Sequence, residues 1–233
     1  PCVVGPQPDE AMEVIEVTAA RLGAPLIAHG QHWHIGTEHG RMVYQDDDGL
    51  LDLPLPNLPG AHQLQNAGAA IAALRHLGKS AEACEAAVTK AYWPARMQRL
   101  KTGPLVDQAD GAELWLDGGH NASAGEALAT HLASMPARPT HLVCGMLNTK
   151  DIDGYLRPMA PHVAGLTAVS IPGEANTLPA EVTAKAATAV GIPATTAENV
   201  SAALTRIQTR APNARVLICG SLYLAGNILR ENG

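Results

Sequence analysis

The chain has 233 residues, 46% of them apolar, which is enough for one large domain or two modest domains with cores of their own. Acidic residues outnumber basic ones by 22 to 16, and the net charge of -6 and sequence pI of about 5.9 disfavour a nucleic acid as partner. No apolar run has membrane-spanning length, so we expect no membrane partner either.

The first third of the chain mixes short strands with helices. It opens on the strand-like PCVVG without a methionine, which predicts a piece of a longer protein. The further elements predicted here are a helix over Met12–Leu22 ended by Gly23, a strand in PLIAHG, antiparallel strands between Gln31 and Leu53, a helix with Leu64, Ala67, Ile71 and Leu74 on one face, and a helix capped by Ser80. That last helix ends before Pro94, where we place a boundary between domains 1–93 and 94–233.

From Leu114 onward, short apolar runs alternate with helical patterns. The strand-like runs are AELWLD, THLVCG, GLTAVSI, IPAT and RVLICG. The helices are predicted from apolar residues at helical spacing: Leu128, Leu132 and Met135; Ile152, Tyr155, Leu156 and Met159; Val182, Ala186 and Val190; Val200, Leu204 and Ile207; and a last helix through Leu229. This alternation predicts a Rossmann-like α/β domain with a mostly parallel sheet covered on both faces. Just before it, PLVDQADGAELWLD predicts a hairpin turned at Asp110-Gly111.

Three of the predicted strands end in residues that suit ligand binding. These ends are Asp117–Asn121 (DGGHN), Gly145–Asp151 (GMLNTKD) and Gly220-Ser221. Because ligands bind beyond the carboxyl ends of parallel strands, three such ends on one edge favour a site there. Any one of them alone is equally typical of an ordinary strand-to-helix turn.

Two familiar nucleotide motifs are missing from the chain. GGHNASAG does not fit the G-x-G-x-x-G fingerprint of dinucleotide-binding domains, which disfavours a nicotinamide-dependent dehydrogenase. No G-x-x-x-x-G-K-[ST] phosphate loop occurs either, so the sequence contains no recognised cradle for a triphosphate.

Polar residues elsewhere are weaker candidates by themselves. His62 and Asn66 lie one turn apart on a predicted helix, which is also typical of a solvated helix face. Arg96 follows the predicted boundary, and its planar fork of donors suits phosphate, although linkers often hold solvated arginines.

Neither the histidines nor the cysteines predict a metal site. A cluster of four histidines and one acid matches no zinc spacing: His29, His32, His34, His39 and Glu38. The four cysteines are scattered without a C-x-x-C pair, which favours reduced thiols and a cytoplasmic location: Cys2, Cys84, Cys144 and Cys219.

Five stretches, in this order, resemble the folylpolyglutamate synthase/dihydrofolate synthase family, ATP-dependent ligases related to the Mur ligases. They are LPGAHQLQNAGAAIAAL, WPARMQRL, LWLDGGHNASAG, CGMLNTKD and CGSLYLAGNIL. The corresponding family patterns are H-Q-x-x-N-A, P-G-R, D-G-A-H-N-P, a G-M-x-x-D-K-D type turn and G-S-x-Y. The resemblance covers nearly the whole chain, and it departs from the family's usual Gly, Ala, Pro and acid at Ala95, Gly119, Ala122 and Thr149, respectively.

The resemblance implies a domain arrangement and a set of site residues. Residues 1–93 would be the end of a larger α/β ATPase domain, and residues 94–233 would be the Rossmann-like C-terminal domain. ATP and Mg²⁺ would be the cofactors, with most metal ligands and the phosphate loop outside this chain. The implied site residues are Asn66 for adenine, Arg96 for the phosphates, Asp117 for the ribose or nucleotide edge, His120 and Lys150 for catalysis, with Lys150 on the glutamate side, and Ser221 for glutamate.

The function that the resemblance implies is addition of L-glutamate to dihydropteroate or folate through an acyl phosphate. That chemistry needs charge stabilisation and alignment of two substrates rather than a protein nucleophile. We expect small molecules to be the only partners, a monomer at full length, and no activity from this chain alone. The alternative is a non-catalytic module that binds a nucleotide or an amino acid.

Overall fold

The computed structural model describes residues 1–232 of the chain. They form two compact units, residues 1–93 and residues 94–232. Within the described residues no helix combines the length and the apolar character that a membrane span requires.

The first unit contains two small sheets and three helices. Its elements are β1 (Cys2–Val4), α1 (Asp9–Leu22), β2 (Leu26–Ala28), β3 (Trp33–Glu38), β4 (Arg41–Asp46), β5 (Gly49–Leu53), α2 (Ala61–His76) and α3 (Ala81–Thr89). Strands β1 and β2 pair in parallel, whereas β3, β4 and β5 form an antiparallel sheet in that order. Helix α1 begins three residues before the predicted start because its first turn is acidic, and it ends at Gly23 in the left-handed conformation with φ 63°.

The core of the first unit lies where helix α2 packs on the antiparallel sheet. Trp33 is fully buried there, and its ring stacks on Tyr44 with the centroids 6.0 Å apart. A Cβ atom at Gly68 of α2 would lie 2.5 Å from the Trp33 ring, so the helix approaches this closely only because residue 68 is glycine. At the edge of this core, Arg75 donates two hydrogen bonds of 2.8 Å to the Asp46 carboxylate.

The second unit is a six-stranded sheet with helices on both faces. Its elements are β6 (Gln98–Arg99), α4 (Pro104–Gln108), β7 (Glu113–Leu116), α5 (Ala122–Ser134), β8 (Thr140–Cys144), α6 (Ile152–Leu156), a 3₁₀ helix (Arg157–His162), β9 (Gly165–Ala168), α7 (Ala180–Ala189), β10 (Ala194–Thr196), α8 (Val200–Arg210), β11 (Arg215–Cys219) and α9 (Leu222–Asn232). The strand order is β10-β9-β8-β11-β7-β6, and only β6 is antiparallel to its neighbour. The predicted fold class is confirmed.

Two apolar cores cover the two faces of this sheet. Alternate strand residues contribute to each, since successive side chains in a strand point to opposite faces. Val216 and Ile218 pack with helices α8 and α9 on one face, whereas Leu217 and Cys219 pack with α5 and the segment after it on the other.

The hairpin predicted at Asp110-Gly111 is wrong. Residues before this turn form helix α4, which begins at Pro104, an ideal first helical residue because it needs no backbone donor. Leu105 is buried, and its N–H donates to the Asn232 side chain of α9. The antiparallel partner of β7 is instead the two-residue strand β6.

Two helices of the second unit also differ from prediction. The pattern from Ile152 to Met159 predicts one helix, but the α-helix stops at Leu156 and a 3₁₀ helix follows, since the chain there contains two prolines, Pro158 and Pro161. In α7, Val182 is 46% exposed, and the buried residues are Ala180, Thr183 and Ala187. The buried face is therefore shifted by one residue from the predicted one, and Ala180 and Ala187 on it pack into the core on one face of the sheet.

Candidate functional site

Three neighbouring strands end at one edge of the second unit's sheet. Strand β11 lies between β7 and β8, so the turns that follow Leu116, Cys144 and Cys219 are adjacent. A cleft of about 220 Å³ opens between these turns. Its lining comprises His120, Leu147, Thr149, Lys150, Gly220, Ser221, Leu222 and Tyr223. The structure therefore brings His120, Lys150 and Ser221 together, one from each turn.

Asp117 ties the turn after β7 to a loop twenty residues earlier in the chain. The residue is only 6% exposed. One oxygen, Oδ1, accepts the N–H of Gly119 at 2.7 Å, and the other, Oδ2, accepts the N–H of Met97 at 2.9 Å. Hydrogen bonds to a charged, buried acceptor are among the strong ones in proteins, so Asp117 anchors both segments.

The loop that carries Arg96 has an unusual backbone. Ala95 has φ 54° and Met97 has φ 40°, which costs an L-residue about 1–2 kcal/mol at each position. Backbone hydrogen bonds hold the loop in place, since the carbonyl of Ala95 accepts the N–H of Gly118 at 2.9 Å. The left-handed backbone at Ala95 also gives a physical reason why the similar family pattern has glycine there.

This loop sets the Arg96 guanidinium against the turn after β7. Its Nη1 donates to the Ala95 carbonyl at 3.1 Å, and it lies 3.4 Å from where a Cβ at Gly118 would be. That same Cβ would lie 2.3 Å from Cδ2 of Leu222. A Cβ at residue 118 would therefore force the partly exposed Leu222 side chain, at the start of α9, to move.

Two residues of the DGGHN stretch have local structural partners. Asn121 caps helix α5, because its side-chain oxygen accepts the N–H of Ala124 at 2.9 Å. The Nδ1 atom of His120 is 3.1 Å from the Gly118 carbonyl, which fixes the orientation of the ring. Helices α5 and α9 both begin at this edge, and helix N-termini favour phosphate and carboxylate groups.

Lys150 and Ser221 differ in whether their side chains already form hydrogen bonds. Within residues 1–232, the Lys150 ammonium forms no hydrogen bond or ion pair. Ser221 is buried, and its Oγ accepts the N–H of Tyr223 at 3.1 Å. The neighbouring Gly220 has φ 102°, and a Cβ there would lie 2.8 Å from the Gly145 carbonyl, so only glycine fits between the two turns.

Neutral groups lie beneath this edge. The Cys144 and Cys219 residues are direct partners in adjacent strands. The Cys219 thiol, together with burial, raises the pKa of the Cys144 thiol, and burial raises the pKa of the Tyr155 hydroxyl. The Cys144 thiol and the Tyr155 hydroxyl therefore stay protonated at neutral pH, which makes them poor nucleophiles.

Asn66 lies in the first unit, apart in sequence from the other five predicted residues. Its side chain is exposed on α2 and donates to Oε1 of Gln63 at 3.0 Å, while Nε2 of Gln63 lies 3.1 Å from the His62 ring. The prediction that His62 and Asn66 share a face is consistent with this connection. Gln63, which links them, was missed because a buried glutamine on a helix leaves no periodic signal.

Two histidines of the first unit lie near each other, but they are not part of a metal-binding set among residues 1–232. The rings of His29 and His34 have centroids 6.2 Å apart, and burial, followed by the His34 charge, lowers the pKa of His29. Across residues 1–232, no three His, Cys, Asp or Glu side chains are arranged to hold a metal ion.

Comparison with known proteins identifies the family. A family model described as the dihydrofolate synthetase C-terminal domain matches residues 99–231. The chain belongs to this family. The matched region contains Asp117, His120, Lys150 and Ser221, whereas Asn66 and Arg96 precede it. No curated protein matches the chain.

Solved structures of related enzymes match almost the whole chain. Mycobacterium tuberculosis folylpolyglutamate synthase complexed with ADP is 25% identical, with a TM-score of 0.81 over 99% of this chain and 55% of that one. E. coli FolC in complex with DHPP and ADP is 26% identical, with a TM-score of 0.79 over 94% and 50%. The bifunctional folylpolyglutamate synthase/dihydrofolate synthase from Yersinia pestis CO92 is 26% identical, with a TM-score of 0.77 over 94% and 50%. The chain thus spans about half the length of the structures it matches.

Proposed function

We propose that this chain is the C-terminal part of an ATP-dependent ligase that joins L-glutamate to dihydropteroate or folate. The observation that carries the proposal is the meeting of His120, Lys150 and Ser221 in one cleft, beside the Asp117-anchored Arg96 loop. Family membership supports the same reaction class. So do the ligands named for similar structures, which are ADP, DHPP, and the set of Mn, AMPPNP and L-glutamate.

In the proposed reaction, ATP activates a carboxylate as an acyl phosphate, and the amino group of glutamate displaces phosphate to form an amide. Arg96 would stabilise charge on the phosphates, and His120 would lie next to them at the start of α5. Asp117 uses both carboxylate oxygens on backbone N–H groups, which favours a role in positioning Arg96 over direct contact with ribose. Asn66 would contact adenine.

The glutamate side of the site is assigned to Lys150 and Ser221. An ammonium group without a partner among residues 1–232 suits a carboxylate ligand, and a hydroxyl at a helix start can donate to the same group. Mg²⁺ would supply charge neutralisation at the phosphates, with its ligands mostly outside this chain. Within the described residues no set of side chains fits that ion.

The chain alone should not catalyse, because its sequence contains no phosphate loop. The test compares residues 1–233 with the protein encoded by the complete reading frame. L-glutamate incorporation is measured with ATP, Mg²⁺, and either dihydropteroate or folate. We expect ligation only by the complete protein. Ligation by residues 1–233 would contradict the proposed inactivity of this chain.

The alternative, a module that binds a nucleotide or an amino acid without catalysis, makes the opposite prediction. A complete protein that binds ADP but ligates neither substrate would favour it. Calorimetric titration of the complete protein with ADP separates a binding module from a misfolded ligase. We also propose a cytoplasmic location, which the four free cysteines support, and a monomer at full length, which sedimentation would test.

A further inference from the structure

A second cleft in the second unit lies away from the candidate site. It opens beside the amino ends of β8, β9 and β10 and has a volume of about 450 Å³. Its polar lining and the glycine at its floor come from these three strands and from helix α8: His141, Gly165, Thr167, Thr195, Arg206 and Arg210. None of these residues lines the cleft at the carboxyl edge.

The pairing of the strands explains why this cleft exists. His141 pairs with Gly165, and Thr167 pairs with Thr195. Because alternate residues share a face, all four positions lie on the same side of the sheet. Gly165 places no side chain between its neighbours, where a Cβ would lie 3.2 Å from the Pro193 carbonyl oxygen and 3.5 Å from Nδ1 of His141. The missing side chain leaves a hollow next to α8.

The charges around the hollow are all positive. Arg206 and Arg210 are one turn apart on α8 and therefore share a face. The cleft lining contains these two arginines and no acid, in a chain whose net charge is -6. Such a local excess of cations raises the concentration of anions nearby.

Most hydrogen-bond donors in the cleft have no acceptor among residues 1–232. Arg206 donates to the Thr196 carbonyl through Nη1, and its other guanidinium donors form no further hydrogen bond within residues 1–232. Over the same residues, Arg210 forms no ion pair or hydrogen bond. The hydroxyls of Thr167 and Thr195 lie 3.5 Å apart on the cleft floor. Burial lowers the pKa of His141, so its neutral ring offers one donor and one acceptor.

We propose that this cleft binds a phosphate group, either as inorganic phosphate or as part of a small phosphomonoester. Guanidinium forks and hydroxyl donors are groups that bind phosphate, and the cleft is lined by two of each. Pro193 and Ile207 add an apolar wall against which the organic part of a phosphomonoester can pack. The cleft volume is within the range typical of sites for small organic ligands.

The test is a ¹⁵N NMR titration of the chain with inorganic phosphate and, separately, with phenyl phosphate, against sodium chloride at equal ionic strength. We expect saturable shifts confined to residues 141, 165–167, 194–195 and 206–210. Tighter binding of phenyl phosphate would identify the ligand as a phosphomonoester, and equal binding would identify it as free phosphate. Shifts that grow without saturation, or that map elsewhere, would overturn the proposal.

A matched pair of double variants tests the role of the arginines. Arg206→Gln with Arg210→Gln should weaken phosphate binding about tenfold or more, since two charged donors are lost. The control, Arg21→Gln with Arg157→Gln, makes the same charge change at exposed positions outside the cleft and should leave binding within about twofold. Equal weakening of phosphate binding in both double variants would show that the loss of net charge alone causes the effect, and it would refute the site. If the first double variant does not fold, Arg210→Gln alone provides the test, because the Arg210 side chain makes no hydrogen bond within residues 1–232.

Discussion

Two turns at the same sheet edge are built in opposite ways. The turn after β7 is held by its own hydrogen bonds, with both Asp117 oxygens, the His120 ring and the Asn121 amide engaged with the backbone. The turn after β8 leaves the Lys150 ammonium without a partner in the described residues. The first turn therefore provides a fixed framework, and the second offers a charge that a ligand can use. Substitutions in the first turn should therefore mainly change stability, and substitutions in the second should mainly change ligand binding.

Asp117→Ala should have the largest effect on stability. It leaves the N–H groups of Met97 and Gly119 without their acceptor in a buried place, so we expect the free energy of unfolding to fall by roughly 3 kcal/mol. Urea unfolding followed by circular dichroism measures this. The resemblance to the ligase family predicts weaker ATP use in the complete enzyme, and the hydrogen bonds add a stability loss. A variant as stable as the parent would show that Asp117 does not anchor the Arg96 loop.

Gly118→Ala should destabilise the second unit by about 1 kcal/mol, because the Leu222 side chain must leave its preferred rotamer. The added Cβ overlaps the Leu222 side chain, whose nearest atom would be 2.3 Å away. Since Leu222 is 48% exposed, Leu222→Ala alone should cost little. The double variant should therefore recover most of the stability lost by Gly118→Ala, and thermal unfolding of all four proteins measures that coupling. Additive losses would mean that the clash lies elsewhere.

Ala95→Gly should instead increase the free energy of unfolding. Glycine removes the left-handed penalty at φ 54° but adds chain entropy to the unfolded state, so the net gain should be about 0.5–1 kcal/mol. The matched control is Ala133→Gly at an exposed position of α5, where glycine should instead cost about 1 kcal/mol. Urea unfolding midpoints compare the two, and a loss of stability at both positions would contradict the proposed strain.

Lys150→Met should change stability least, within about 0.5 kcal/mol, because the Lys150 side chain makes no hydrogen bond or ion pair among residues 1–232. If the complete protein is the proposed ligase, this variant should raise its KM for L-glutamate about tenfold or more, since the proposed contact between Lys150 and a carboxylate is lost. Lys185→Met, at an exposed position of α7, is the control and should change neither quantity. An unchanged KM for the Lys150 variant would remove this residue from the glutamate site.

Much of the architecture follows from local patterns in the sequence. Continuous apolar runs such as RVLICG predict buried parallel strands, and the edge rule for parallel sheets correctly groups His120, Lys150 and Ser221. The order of the strands in the sheet could not be predicted in the same way. Nothing local in RVLICG indicates that this strand pairs with both β7 and β8.

Interactions between distant residues account for what the sequence could not reveal. The role of Asp117 depends on the N–H of Met97, and the left-handed backbone of Ala95 depends on tertiary hydrogen bonds. The hairpin error has the same origin, since α4 is fixed by a bond from Leu105 to Asn232, 127 residues away. Turn propensity at Asp110-Gly111 carries no information about that contact.

The central position of β11 has a consequence for synthesis of the protein. Arg215 pairs with Glu113, 102 residues earlier, and the strand separates β7 from β8. A nascent chain in which β11 has not yet left the ribosome exposes the facing edges of β7 and β8, whose unpaired backbone groups invite pairing with other chains. The order of elements thus makes completion of this sheet a long-range event that must wait until β11 has been synthesised.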